Sequence, residues 1–167
     1  MLFIGIDNGV TNNGIGVLNE RGEARLYPLP IKKELSYTKE AKHISRIDFD
    51  LLRVLFGEIV GDFNEYDVKV GLERPMVNST RFNASMSAIR ALEATLIALE
   101  DSQWPYEYID SKEWQKVLLP KGLKGSDELK KASLDIGKRM FPTLNIKKDA
   151  DGLLIAEYLR RKYLNKL

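Results

Sequence analysis

Cysteine is absent from all 167 residues, and histidine occurs once, at His43. The first absence excludes disulfide staples, thiolate zinc sites, iron–sulfur clusters and cysteine nucleophiles. The second argues against a His-rich zinc site and a Ser-His-Asp triad. No apolar run approaches the ~20 residues that a membrane-spanning helix needs, and Met1 leads straight into a strand-like segment rather than a signal peptide. These absences predict a soluble protein of a reducing compartment with no membrane partner. What remains is 44% hydrophobic and 30% charged, enough for one domain, 1–167, that buries its own core without metal or disulfide staples.

Charge is unevenly distributed along the chain. From Lys112 onward there are 14 Lys/Arg against 7 Asp/Glu, whereas the first 111 residues hold 12 basic and 17 acidic side chains. A basic second half suits a polyanion, and it equally suits lysines decorating amphipathic helices.

Leu2, Ile4 and Ile6 alternate in a buried strand ending at Asp7, and Asn8-Gly9 starts a turn. Residues 14–18 and 24–29 complete an antiparallel meander that Pro28 and Pro30 end. Residues 36–42 lead into a helix whose apolar face is Ile44, Ile47, Leu51, Leu52, Leu55, Ile59 and Val60. A fourth strand runs over 68–73. A polar loop over 76–85 follows, then an Ala-rich helix over 86–99 and a fifth strand over 106–109. A short helix around Trp114 precedes a helix capped by Ser126 or Asp127, which stops near Pro142. The last helix begins near Asp149 or Asp151. This order predicts an α/β fold with a mixed sheet, three antiparallel strands extended by βα units, and helices on both faces.

Two strands end in matching tripeptides, Gly5-Ile6-Asp7 and Gly71-Leu72-Glu73. Alternation puts each acid on the face of the glycine two residues earlier, where the missing side chain leaves space for a substrate or metal. If these strands are parallel neighbours, their ends lie ~5 Å apart, and one divalent ion can bridge Asp7 and Glu73. Taken singly, either acid is an ordinary solvated strand end. Asp149 and Asp151 add two carboxylates at a helix start, where an Asp is also a common cap. Oxygen ligands without His or Cys favour Mg²⁺, with Mn²⁺ as substitute.

The run Ile4-Gly5-Ile6-Asp7-Asn8-Gly9, with Gly14-Ile15-Gly16-Val17 behind it, resembles the opening of RuvC-type Holliday junction resolvases. So do the strand ending at Glu73, the Trp114 segment, Lys130 upstream of Phe141-Pro142, and the closing Asp151-Gly152-Leu153-Leu154-Ile155-Ala156. The resemblance spans almost the whole chain and is greatest to the phage, poxviral and organellar branches, where a Lys-Lys-Asp run precedes the final acidic helix. It implies a ribonuclease-H-like fold with a five-stranded sheet. It also implies a homodimer that nicks two strands of a four-way DNA junction with two divalent ions per site. The address would be the cytoplasm of a bacterium or phage-infected cell, an organellar form staying open.

Carried onto this chain, the resemblance makes Asp7 a ligand of both ions, Glu73 of one, and Asp151 the acid of the closing motif. Bacterial members place an Asp or His three residues before that acid, where this chain has Lys148. Asp149 is the substitute, at shortened spacing. Lys130 matches a lysine that supports the scissile phosphate; otherwise it is a surface helix lysine. Lys112, Lys116, Lys121, Lys124 and Lys131 are expected as sequence-blind phosphate contacts. Phe82 is either a junction wedge stacking on unpaired bases or a loop anchor. Trp104 and Trp114 are expected in the core and His43 on the surface. The helix over 84–99 is the expected dimer seam, through Ile89, Leu92 and Leu96, unless those residues pack on the sheet.

Three other functions fit parts of the pattern. Residues 4–17 alone suit an actin-like phosphotransferase, which needs a second lobe that this length does not supply. A related nuclease acting on other branched DNA or RNA-containing substrates would keep the carboxylates. A non-catalytic nucleic-acid-binding module would have no use for Asp7, Glu73 and Asp151 together.

Overall fold

In the computed structural model, which describes residues 1–10 and 14–167, the turn that starts at Asn8-Gly9 runs into residues outside that description. Strand β1 (Leu2–Ile6) lies antiparallel to β2 (Gly14–Asn19), with Ile4 opposite Val17. β2 turns through Gly22, at φ 87°, into β3 (Ala24–Pro28). Asn19 braces that turn, donating to the Glu23 carboxylate at 2.6 Å and accepting from the Glu23 amide at 3.0 Å.

The next segment departs from the helical reading of 44–60. Ile31–Leu35 forms β4 and His43–Ile47 forms β5, paired in a separate two-stranded sheet with Glu34 opposite Ile44. Ile44 and Ile47 match a helical spacing three apart, but Asp48 intervenes. Its side chain accepts from the Leu51 amide at 3.3 Å and starts the helix afresh. Helix α1 is therefore Phe49–Phe63, and its buried face is Leu52, Leu55, Phe56 and Ile59. Leu51, expected on that face, is exposed. His43 is exposed as anticipated, though on a strand.

β6 (Val68–Glu73) pairs parallel with β1, placing Gly71 beside Gly5. The loop expected over 76–85 is shorter. Asn78 caps a 3₁₀ turn at Ser79–Arg81, and helix α2 starts at Phe82 and runs to Asp101. β7 (Tyr106–Ile109) adds a parallel edge to β6, giving the order β3-β2-β1-β6-β7. Helix α3 (Ser111–Leu118) follows, then α4 (Gly125–Met140). Neither Ser126 nor Asp127 caps α4. Lys124 occupies the cap position, and the Glu128 carboxylate reaches back to its amide at 2.7 Å. Helix α5 (Asp151–Tyr163) closes the fold. Among the described residues no helix is long and apolar enough to cross a membrane.

The sheet separates two cores. Leu2, Ile4, Ile6, Val17, Val70 and Leu72 pack with α1 and α2 on one face. Phe3, Leu18 and Ile109 pack with Trp114 and the apolar residues of α5 on the other. Every residue from Gly152 to Leu159 is buried, so α5 is an interior helix. Its first turn lies on bare backbone: a Cβ at Gly5 would come within 2.1 Å of the Gly152 carbonyl oxygen, and one at Gly16 within 2.3 Å of the Leu153 amide nitrogen. The space expected beside the acids for a metal or substrate is thus filled by a helix. At Gly71 the side chains of Ile109, Leu159 and Ile155 occupy the corresponding space.

Candidate active site

β1 and β6 run parallel and in register, so the residues that follow Ile6 and Leu72 emerge together at one end of the sheet. These are Asp7 and Glu73, and their carboxyl groups lie within hydrogen-bond reach of each other. The close seat of α5 on Gly5 and Gly16 brings the N-terminus of that helix to the same end. Carboxylate oxygens of Asp7, Asp149 and Asp151 all lie within 4.8 Å of one another. Three separate chain segments therefore converge on one acidic cluster, reached from the carboxyl ends of two parallel strands, where open α/β sheets place their ligands.

The cluster is electrostatically uncomfortable without a cation. Burial, reinforced by Glu73, Asp149 and Asp151, holds the Asp7 carboxyl well above the usual carboxylate range. Burial and then Asp149 push Asp151 up to about 7, against an opposing bond from Ser133 and the charge of Lys130. Glu73 is raised by burial, with the Trp114 and Asp7 hydrogen bonds working the other way. Asp149 is raised by burial, opposed by the amides of Asp151 and Ala150, by Asp7 and by Lys130. Four acids in one another's field, with hard oxygens and no nitrogen or sulfur donor, fit a divalent ion of the Mg²⁺ or Mn²⁺ type. The helix-cap alternative is also realised in part, because an Asp149 oxygen accepts from the Asp151 amide at 2.9 Å. That bond occupies one oxygen and draws Asp149 toward the start of α5.

Lys130 is exposed on α4 and acts electrostatically on both Asp149 and Asp151. Its neighbour Lys131 is exposed too, as is Lys124 at the start of that helix. Lys112, Lys116 and Lys121 line one shallow groove of about 270 Å³ between α3 and the start of α4, with Gln115, Leu119 and Leu123 and no acidic residue. Gly122 and Gly125, at φ 88° and 80°, turn the connecting chain. Phe82 is 68% exposed at the first residue of α2. It lines a second groove with Tyr37 and Lys42 of the β4–β5 hairpin and with Arg90. Arg90 donates to the Tyr37 hydroxyl at 3.1 Å.

Of the expected seam, Ile89 is exposed, whereas Leu92 and Leu96 pack against the first core. Ile97, not singled out in the sequence, is exposed instead. Trp104 is half-buried and stacks on Phe56 at 4.4 Å.

Two residues at the cluster escape sequence reasoning. Trp114 is buried as expected, but its indole Nε1 donates to Oε1 of Glu73 at 3.0 Å. The signal was available, since a buried indole N–H needs an acceptor. Ser133 donates its hydroxyl to Asp151, and nothing in a helical serine announces that. Asn8, next to Asp7, donates to the Ala88 carbonyl at 3.1 Å and ties the end of β1 to α2.

No family model matches this sequence, and no curated protein does. Solved structures do. RuvC of Thermus thermophilus in complex with a Holliday junction substrate aligns with a TM-score of 0.62 and 16% identity, over 99% of this chain and 97% of that chain. Another structure of Thermus thermophilus RuvC aligns with a TM-score of 0.61 and 17% identity, over 99% and 98%. The yeast mitochondrial Holliday junction resolvase Ydc2 gives 0.47 and 21%, over 95% and 77%. The chain therefore has the α/β fold of RuvC, built on a mixed five-stranded sheet.

Proposed function

We propose that this protein is a divalent-metal-dependent endonuclease that resolves four-way DNA junctions by paired hydrolytic nicks. The observation that carries the reading is the convergence of Asp7, Asp149 and Asp151, with Glu73 beside Asp7, at the carboxyl ends of β1 and β6. A purely structural cluster would not bury four acids together, each with its pKa raised by that burial, and Asp7 and Asp151 raised further by their acidic neighbours. The RuvC fold supports the substrate class, since one of the RuvC structures holds a Holliday junction substrate.

Asp7 lies centrally, within reach of Glu73 and Asp149, and would be the ligand common to two ions. Glu73 would help hold one of them, and Asp149 with Asp151 the other. Divalent cations held there would supply Lewis-acid activation of a water nucleophile and charge neutralisation at the leaving 3′-oxygen. The protein's own contribution is placement. The glycine-seated α5 sets the distance between the Asp7 and Asp151 ends. Lys130 stands at the rim to neutralise the phosphate. Lys112, Lys116 and Lys121 hold backbone phosphates away from the cluster, giving affinity without sequence reading.

Paired nicks need two sites related by a two-fold axis, which a homodimer supplies. The exposed face of α2, with Phe82, Ile89 and Ile97, is the surface available for that contact and for the junction centre.

A Mg²⁺-dependent cleavage assay on four-way junctions, splayed arms, linear duplexes and RNA–DNA hybrids tests the proposal. Symmetric incision of four-way junctions, absent in Asp7→Asn, is expected. Cleavage confined to splayed arms or hybrids would replace it with a related nuclease of different substrate. No cleavage with intact binding would leave a nucleic-acid-binding module.

A further inference from the structure

Two acids of the cluster are held from behind by neutral donors on different helices. The Trp114 indole of α3 donates to Oε1 of Glu73 at 3.0 Å, and the Ser133 hydroxyl of α4 donates to Oδ1 of Asp151. Both donors are buried, at 1% and 3% exposure. An indole N–H is donor only, so it donates to the carboxylate oxygen and cannot serve as a ligand itself. The serine stands one helical turn before Gly137, where a Cβ would come within 2.4 Å of the Ala150 side chain. That tight contact presses α4 against the residue that precedes Asp151, so the hydroxyl cannot drift from its acceptor.

We propose that Trp114 and Ser133 are positioning residues of the metal centre. Each occupies one oxygen of its carboxylate and leaves the other to the cation. Donors of this kind orient a ligand and tune its charge, and losing one typically weakens metal affinity by about 10–100-fold. The inference rests on the metal reading given above and is independent of which nucleic acid is cut. The two helices also carry the basic residues, Lys112 and Lys116 on α3 and Lys130 on α4. A phosphate backbone gripped by these helices is thereby in register with the carboxylates that they orient.

The test is Mn²⁺ titration of the intact, DNA-free protein by calorimetry, comparing the parent with Trp114→Phe, Ser133→Ala and Ser133→Thr. Binding weakened about 10–100-fold in the first two, and restored in the threonine variant that keeps the hydroxyl, is expected. In cleavage, their defect should shrink as Mn²⁺ is raised, with turnover at saturating metal close to the parent's. Parental Mn²⁺ affinity in folded Trp114→Phe and Ser133→Ala overturns the inference. A parent protein that binds no Mn²⁺ overturns the metal reading and the inference with it. Should Trp114→Phe fail to fold, the indole N–H resonance of Trp114 in the parent, assigned with Trp104→Phe, decides the point. It is expected to move on adding Mg²⁺, and a resonance unmoved at saturating Mg²⁺ overturns the role of Trp114.

Discussion

Replacing Gly16 by alanine puts a methyl carbon 2.3 Å from the Leu153 amide nitrogen and 2.4 Å from the Gly152 carbonyl carbon and the Leu153 Cα. Ordinary van der Waals contact begins near 3.4 Å, and all three neighbours are backbone, so no rotamer change relieves the clash. The start of α5 has to retreat by roughly 1 Å in an interior packed like an organic crystal. Overpacking of this kind costs about 1–3 kcal/mol, and with backbone on both sides the upper end applies. For a chain of this length about 3 kcal/mol lowers Tm by roughly 6–12 °C. The same retreat carries Asp151 away from Asp7. A 1 Å misplacement of a reacting constellation costs on the order of 10²-fold in rate, so cleavage and Mn²⁺ affinity should fall together. Gly57→Ala is the control. Gly57 lies in α1 with nothing within 4 Å of an added Cβ, and relief of the glycine penalty should stabilise by about 0.5–1 kcal/mol. Melting curves and Mn²⁺ titration of the two variants decide the matter. Gly16→Ala with a Tm within about 2 °C of the parent and unchanged metal binding would refute the claim that backbone contact sets the site.

Asp7→Asn and Glu73→Gln should abolish cleavage while leaving fold and junction binding intact, as read by melting and gel shift. Asp149→Asn keeps the oxygen that accepts from the Asp151 amide and removes only charge, so its cleavage defect should be partly rescued by raised Mn²⁺; a silent variant would reduce Asp149 to a cap. The raised acids bind protons that the unfolded chain releases, so stability without metal should fall as pH climbs from the ordinary aspartate value of 3.8 through about 7, where Asp151 gives up its proton. Mg²⁺ should accordingly raise Tm more at pH 8 than at pH 5, and equal increments would contradict the electrostatic picture. Alanine at Lys112, Lys116 or Lys121 should weaken binding to all junction sequences alike and shrink the salt slope by about 0.9 per lost phosphate contact, measured by affinity against salt concentration. Ile89→Glu or Ile97→Glu should yield monomers by sedimentation that nick one strand at a time; dimers persisting in both would move the seam elsewhere.

The five strands of the main sheet were legible as short runs bounded by turn residues, the central three being continuous apolar stretches buried on both faces. The β4–β5 hairpin was not. Ile44 and Ile47 sit three apart and run into the true helical series from Leu52, so the helical period extends backward through a strand without a break in hydrophobicity. Only Asp48 marks the boundary, and a single capping residue inside an apparent repeat is a weak signal. The acids were legible by position, since Asp7 and Glu73 follow register-matched strands. The glycines were misread as space for a ligand. A sequence says that a side chain is not wanted at Gly5 and Gly16, and it does not say what stands in its place. A buried indole announces that it needs an acceptor, but which one was illegible, as was the whole role of Ser133, because the partners are 41 and 18 residues distant and no local pattern encodes such a pairing.

The occupant of that space links the fold to the chemistry. Asp7 lies two residues beyond Gly5, and Asp151 immediately precedes Gly152, whose carbonyl oxygen would meet a Cβ at Gly5 and whose own Cβ would come within 2.3 Å of the Gly14 carbonyl oxygen. The contact that seats α5 on the sheet therefore also fixes the separation of two of the acids, with no flexible loop between the seat and either carboxylate. Glu73 is tied to the same frame because β6 pairs with β1 in register and Trp114 holds its far oxygen. An acidic cluster on a surface loop would relieve its repulsion by moving apart. This one cannot, since spreading it means lifting an interior helix off the sheet, so its repulsion is relieved by holding protons at low pH and, on the proposed reading, by a bound cation once those protons are lost.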